Sequence, residues 1–155
     1  MVNEEKVTDL IRAESVLIDR GAIGELYETA LKFVGIGIGG IMYTAGKKGG
    51  VRGAQLLRAR LGLQGDDLLA AALYAFNLSN WGRATLVRDG VNESQRVVVE
   101  NSALATSVPL QKKRICHPLA GYIAGFLEEA WQRPVKVRET DCMAAGAAHC
   151  LFEIE

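Results

Sequence analysis

The first half of the chain carries apolar residues at helical spacing. In residues 21–33 they recur every three or four positions, as one face of an amphipathic helix requires. A longer helix is predicted over about residues 36–61 and another over residues 66–78. The last of these begins at Asp66, because helix starts favour an acidic first turn. The N-terminal half is therefore expected to be helical.

Strand-like alternation dominates the second half, interrupted by one helix. Four segments alternate apolar and polar residues with period two, as half-buried strands do: residues 83–88, 95–99, 135–139 and 150–155. The first two are joined by turn-like residues 89–92, and residues 101–113 are predicted to be a loop. Residues 119–131 have helical spacing. Helices segregated from strands predict an α+β fold, a four-stranded antiparallel sheet with helices packed on one face.

Composition is that of one compact domain. The 155 residues, 49% of them apolar, suffice for one core. We predict a charged N-terminal arm over residues 1–20, with residues 15–18 as a short strand or ordered extension, and a single domain over residues 21–155. The formal net charge of zero gives no electrostatic case for nucleic acid or an anionic membrane surface. No segment has the length of a membrane span. The polar N-terminus and odd cysteine count predict a cytoplasmic protein with reduced thiols.

Two of the strands predict a zinc site. Alternation places Glu139 on the apolar face of its strand, where an unpaired carboxylate is costly to bury. Cys150 lies on the apolar face of the last strand, and a hairpin of the two strands would bring Cys142 beside both residues. Thiolates and a carboxylate in a closed tetrahedral set are typical of structural zinc. The alternative is that the cysteines are small buried hydrophobes and the glutamate is a surface acid.

Cys116 is the predicted fourth ligand, from a different element. It precedes His117 and Pro118 at the start of the helix over residues 119–131. Proline is favoured in the first turn of a helix, and the positive end of the helix dipole promotes ionisation of a cysteine there. Zinc would then join the helix start to the hairpin. His117 and His149 are alternative ligands, and Glu139 is preferred.

The run from Cys116 to Ile154 resembles the 4-vinyl reductase (4VR) domain family. The shared features are the helix-opening cysteine, Gly121 and Gly125 in the helix, Pro134 before a strand, E-x-x-C from Glu139, a glycine turn, and C-x-F-x-I from Cys150. The resemblance suggests a stand-alone archaeal-type member. It implies kinship with the sensory domains of aromatic-responsive transcription activators and with a bacteriochlorophyll-biosynthesis protein. More distantly, it implies the fold of the TRAPP vesicle-tethering subunits.

A ligand pocket between the sheet and the helices, close to the zinc, is what this resemblance implies. The candidate residues are aromatic or small and come from three helices and the sheet: Tyr43, Tyr74, Phe76, Trp81, Ala120, Ile123, Ala124 and Val137. Tyr74 and Phe76 are two residues apart, so one helix cannot direct both into one cavity. Small residues of the last helix are expected to leave room for the ligand.

Glycines are concentrated between residues 35 and 53. Residues 35–40 spell G-x-G-x-x-G, but the preceding residues have helical periodicity and no acid follows at ribose-binding distance, so a dinucleotide site is not favoured. The glycines instead permit close approach of a neighbouring helix or of a bound molecule. An apolar helix of this kind, together with the family's habit, predicts a homodimer.

No residue set free of the predicted metal site indicates catalysis. The leading hypothesis is a non-enzymatic, zinc-stabilised domain over residues 21–155 that senses or carries a hydrophobic or aromatic small molecule. The alternatives are a dimeric protein-interaction scaffold like the TRAPP subunits, and a helper protein in tetrapyrrole or cofactor biosynthesis. Without an output domain, a signal would have to pass through a protein partner.

Overall fold

The computed structural model describes residues 1–34, 37–88, 90 and 95–155. Over these residues the chain forms helices and strands in the following order: α1 (Glu4–Glu14), α2 (Arg20–Val34), α3 (Ile38–Leu61), α4 (Gly65–Leu78), β1 (Arg83–Arg88), β2 (Gln95–Glu100), α5 (Ala103–Thr106), α6 (His117–Trp131), β3 (Val137–Asp141) and β4 (Cys150–Ile154). A single 3-10 turn, Met143–Ala145, lies between the last two strands. The predicted α+β class is confirmed.

The four strands form one antiparallel sheet in the order β1-β2-β4-β3. One face is apolar and packs on the helices, and its buried residues include Ala84, Val97, Val99, Val137 and Phe152. The other face carries polar residues such as Arg138 and Glu153, which pair across β3 and β4 at 2.8 Å. Period-two alternation therefore separates core from solvent as predicted. The predicted turn over residues 89–92 lies outside the described residues except for Gly90.

Helices α3 and α6 pack backbone against backbone through glycines on both. A Cβ on Gly46 or Gly50 of α3 would overlap the carbonyl oxygen of Pro118 or Tyr122 in α6. In return, a Cβ on Gly121 or Gly125 of α6 would overlap a carbonyl oxygen of α3. Small residues four apart on both helices are what such close approach requires. The sequence left open whether the glycines face a helix or a ligand, and these four face a helix.

This packing removes the structural reason for two expectations. The space beside Gly121 and Gly125 is filled by the backbone of α3 rather than left for a ligand. Gly50 is buried within the chain, so this part of α3 needs no second subunit to cover it. The G-x-G-x-x-G segment follows helix α2 rather than a strand, which again disfavours a dinucleotide site, and its residues 35 and 36 lie outside the described residues.

The N-terminal arm contains a helix that the sequence did not predict. Asn3 caps α1 by accepting a hydrogen bond from the Lys6 N–H at 3.0 Å. Val7 and Leu10 of α1 are buried in the core, where they lie against α4 and α3. The strand considered for residues 15–18 is not formed, and those residues are exposed. Spacing over one short charged helix was too weak a signal, because only two of its residues are buried.

Other differences from the predicted elements are small. Strand β3 begins at Val137 instead of residue 135, and residues 101–113 include the short helix α5, capped by Ser102. Helix α6 begins at His117, directly after Cys116. None of the helices that the structure describes combines the length and the apolar character needed to cross a membrane.

Candidate metal centre and ligand pockets

The four predicted ligands lie together at the junction of α6, β3 and β4. Their ligand atoms are all within 4.8 Å of one another, and all four residues are buried. The Cys116 sulfur lies 3.9 Å from the sulfur of Cys142 and 3.9 Å from that of Cys150. Cys116 stands at the start of α6, while β3, the 3-10 turn and β4 supply Glu139, Cys142 and Cys150. This cluster could hold a metal ion.

Glu139 is a buried carboxylate with one oxygen left without a protein partner. Its Oε2 accepts the backbone N–H of Cys116 at 2.9 Å. Its Oε1 is buried and has no hydrogen-bond partner among the described residues. Burial raises the pKa of the Glu139 carboxyl to about 8, and the neighbouring Cys142 adds to the shift. A cation bound at Oε1 would satisfy that atom and favour the ionised carboxylate.

The thiols influence one another as a coupled set. Hydrogen bonds among Cys116, Cys142 and Cys150 raise the pKa of Cys116 far above its usual value and lower that of Cys142. The hydrogen bond with Cys116 lowers the pKa of Cys150, but Cys142 and burial outweigh it and raise that pKa to about 12. Without a cation, the cluster can therefore place negative charge on one sulfur but not on all three. A divalent ion would allow all three thiols to ionise.

Groups around the cluster fix the ligands in place. The hydroxyl of Tyr27, from α2, donates to the carbonyl oxygen of Ile115, the residue before Cys116. Ser102 is fully buried, and its hydroxyl oxygen lies 3.8 Å from the Cys116 sulfur. The Met143 N–H donates to the Cys150 sulfur at 3.4 Å. Such contacts orient metal ligands and hold their geometry.

The sequence analysis did not identify Tyr27 or Ser102. Tyr27 falls on the helical face of α2 that was interpreted only as core, and Ser102 lies in the segment predicted to be a loop. The available signal was Ser102 followed by apolar residues, a helix-capping pattern. Their distance from the cysteines along the chain hid their connection to the metal centre.

An apolar cavity of about 60 Å³ lies between α4, α6 and strands β1 and β2. It contains two of the predicted ligand-binding residues, Phe76 and Ile123. The remaining lining residues are aliphatic or aromatic: Leu69, Ala72, Leu73, Ala84, Leu86, Val97, Val99, Leu119, Tyr122, Phe126 and Leu127. Tyr122 supplies the one side-chain hydroxyl of this lining. The cavity lies in the predicted layer, between sheet and helices.

A second and larger cleft, about 540 Å³, lies beside the metal cluster. Three other predicted residues line it: Tyr43, Ala120 and Val137. It runs between α3, the start of α6 and the edge strand β3, and Glu139 forms part of its wall. The rest of its lining is largely cationic: Lys47, Arg114, His117, Val135, Lys136 and Arg138. The single pocket expected from the sequence is therefore two separate spaces.

The other three predicted residues line neither space. The Tyr74 hydroxyl lies 3.1 Å from the Thr8 hydroxyl of α1, so Tyr74 and Phe76 do point in different directions, as their spacing predicts. Trp81 precedes β1 and is 39% exposed. Ala124 is fully buried in the core. A role for these residues in binding stays a prediction without a cavity beside it.

Comparison with known proteins agrees with this geometry. The family model of the vinyl-4-reductase (4VR) domain matches residues 95–155, the part of the chain that contains all four cluster residues. No curated protein matches the sequence significantly.

Solved structures show the same fold over nearly the whole chain. The phenol-responsive sensory domain of the transcription activator PoxR, solved with phenol, matches with a TM-score of 0.75 and 19% identity, covering 90% of this chain and 75% of that one. A vinyl-4-reductase family protein from Methanocaldococcus jannaschii matches with a TM-score of 0.63 and 20% identity, covering 98% of this chain and 90% of that one.

The fold also extends to a vesicle-trafficking protein. Trafficking protein particle complex subunit 3 from Naegleria fowleri, covalently bound to palmitic acid, matches with a TM-score of 0.68 and 17% identity, covering 88% of this chain and 93% of that one. At these identities the likeness establishes the fold that the sequence resemblance implied.

Proposed function

We propose that this chain is a 4VR-type domain, stabilised by one structural zinc ion, that binds a hydrophobic small molecule without transforming it. The observation that carries the proposal is the apolar cavity between the sheet and the helices, next to a helix whose N-terminal cap, Cys116, belongs to the metal cluster. Ligand binding there and the metal at the start of α6 would both act on the same helix.

The geometry of the sulfurs supports zinc. A tetrahedron with zinc–sulfur bonds of about 2.3 Å has sulfur–sulfur edges of about 3.8 Å, close to the 3.9 Å separations of Cys116 from Cys142 and Cys150. Three thiolates and one carboxylate complete four-coordination, so no position remains for a catalytic water. Zinc held here would serve stability, because its binding energy adds to folding energy.

The lining of the cavity supports a hydrophobic ligand. The neighbours of the same fold include a phenol sensor and a protein holding palmitic acid. Here the lining offers only the Tyr122 hydroxyl as a side-chain hydrogen-bonding group, so a phenolic hydroxyl buried in it would lose hydrogen bonds to water. We therefore expect toluene to bind at least as tightly as phenol. The space of about 60 Å³ is smaller than the roughly 150 Å³ that accommodates benzene, so the lining must open for a ligand of that size.

Calorimetric titration with toluene, phenol and decanol tests this proposal. Ala72 lines the cavity, and Ala70 is exposed on the same helix. Ala72→Trp should abolish ligand binding and the ligand-induced rise in melting temperature. Ala70→Trp should leave both intact. If no probe binds the unmodified protein, or Ala72→Trp binds as well as Ala70→Trp, the cavity is not a ligand site.

The second candidate function is a dimeric interaction scaffold, as the likeness to a subunit of a trafficking protein complex suggests. The small volume of the apolar cavity favours it, because a closed core would need no ligand. Exposed apolar side chains on α2 and α3, Leu26, Phe33 and Ile41, offer surface for a second subunit or a protein partner. For either function we propose that the protein acts in the cytoplasm, where the thiols stay reduced.

A further inference from the structure

The cleft beside the metal cluster carries cationic side chains that neither the metal site nor the apolar cavity accounts for. Lys47, Arg114, Lys136 and Arg138 all line it, in a chain whose formal net charge is zero. Three of them pair with acids outside the cleft lining. Lys47 binds Glu128 at 2.7 Å, and Lys136 and Arg138 bind acids of the last strand and C-terminus. Their charges are largely balanced.

Arg114 differs from these three residues. Its guanidinium donates one hydrogen bond, to the carbonyl oxygen of Thr140 at 3.1 Å, which carries no charge. Lys112 and Lys113 precede it, and all three side chains are exposed. Among the ion pairs of the described residues none involves these three cations. The mouth of the cleft therefore has uncompensated positive charge, and the other N–H groups of Arg114 remain available.

The interior of the cleft is suited to an apolar group. Ala120, Val135 and Val137 are buried and form part of its wall. The Tyr43 hydroxyl accepts the Val137 N–H at 3.3 Å, so its own proton is free to be donated to a ligand. The volume of about 540 Å³ lies in the range of small-molecule sites, about 300–1,000 Å³.

We propose that this cleft is a second binding site, for a small amphipathic carboxylate. The carboxylate group pairs with the Arg114 guanidinium, whose planar set of donors matches it. The apolar body of the ligand lies against Ala120, Val135 and Val137. Since Glu139 belongs to both the cleft wall and the metal cluster, a ligand here touches the carboxylate arm of the metal centre. The site is separate from the apolar cavity and does not depend on ligand binding there.

A competing explanation is that Arg114 only balances the negative charge of the metal cluster. Three thiolates and a carboxylate around a divalent ion have a net charge of about −2, and a nearby cation would stabilise them. On this explanation, removing the charge lowers metal affinity and no anion binds. The two explanations predict different results for the same variant.

Benzoate and its neutral analogue benzamide are the probes that test the proposal. In NMR titrations of the isotope-labelled protein as purified, benzoate should shift the amide signals of Val137 and its neighbours, and benzamide should bind at least about tenfold more weakly. Arg114→Gln should weaken benzoate binding about tenfold or more with metal content unchanged. Arg114→Lys, which keeps the charge but loses the planar donors, should give an intermediate affinity.

Two control variants assign the site. Arg83→Gln removes an exposed cation at the opposite edge of the sheet and should leave benzoate affinity unchanged. Ala72→Trp blocks the apolar cavity and should also leave it unchanged, which separates this site from the proposed function. The proposal is overturned if benzoate shifts no cleft signal, if benzamide binds equally well, or if Arg114→Gln lowers metal content while benzoate affinity stays the same.

Discussion

Two adjacent glycines of α3 should respond in opposite directions to the same substitution. Gly50 is buried, and a Cβ there would overlap the carbonyl oxygen of Tyr122 and come within 2.8 Å of the Phe126 nitrogen. Gly49 is exposed, and a Cβ there would meet only the ring of Tyr122 at 3.5 Å, an ordinary contact. Gly49→Ala and Gly50→Ala therefore share helix propensity and differ in packing against α6.

The expected magnitudes follow from these two terms. Replacing glycine by alanine inside a helix gains about 1 kcal/mol, so Gly49→Ala should stabilise the protein by about that amount. At Gly50 the overlap is with backbone atoms, which cannot move aside unless the helices separate. Overpacking of this kind costs about 1–3 kcal/mol, and the upper end applies. The net effect of Gly50→Ala should be a loss of about 2 kcal/mol, and the two variants should differ by about 3 kcal/mol.

Urea unfolding of both variants, with zinc and a reducing agent present, measures this difference. The midpoints should move in opposite directions with unchanged slopes, since the exposed surface on unfolding stays the same. In thermal unfolding, Gly50→Ala should lower the melting temperature by about 4–8 °C. If Gly50→Ala is as stable as Gly49→Ala, the backbone contact between α3 and α6 is not present in solution.

Three further predictions concern the metal centre and the assembly. Metal analysis should find close to one zinc per chain, and Cys142→Ser should lose it and melt about 10 °C lower or more; metal-free protein with the same melting temperature would contradict this. Glu139→Gln should weaken zinc binding yet leave the metal-free protein about equally stable, because the raised pKa of about 8 keeps the Glu139 carboxyl mostly neutral at pH 7; equal zinc affinity would refute the carboxylate as a ligand. Sedimentation at micromolar concentration should give a homodimer, and a monomer mass alone would remove that proposal.

The strands and the metal cluster were predictable from the sequence because their signals are local. Alternation fixes which residues face the core, and it placed Glu139 on the buried side of its strand without any knowledge of the rest of the fold. A buried carboxylate needs a partner, and the nearby cysteines supply the remaining ligands. The helix α1 carried no comparable signal, because two buried residues in eleven do not outweigh its charged composition.

The partner of the glycine-rich helix was not predictable in the same way, since a missing side chain is compatible with a helix or a ligand on the other side. The spacing nevertheless held the information. Gly46 and Gly50 are four apart, as are Gly121 and Gly125, and matching pairs on two helices are the pattern of backbone-to-backbone packing. That packing has a consequence for function. Because α6 is held against α3 along its length and joined to the hairpin at Cys116, it cannot easily tilt to enlarge the apolar cavity. Opening for a ligand must then come from the opposite wall, where α4 carries Ala72 and Phe76.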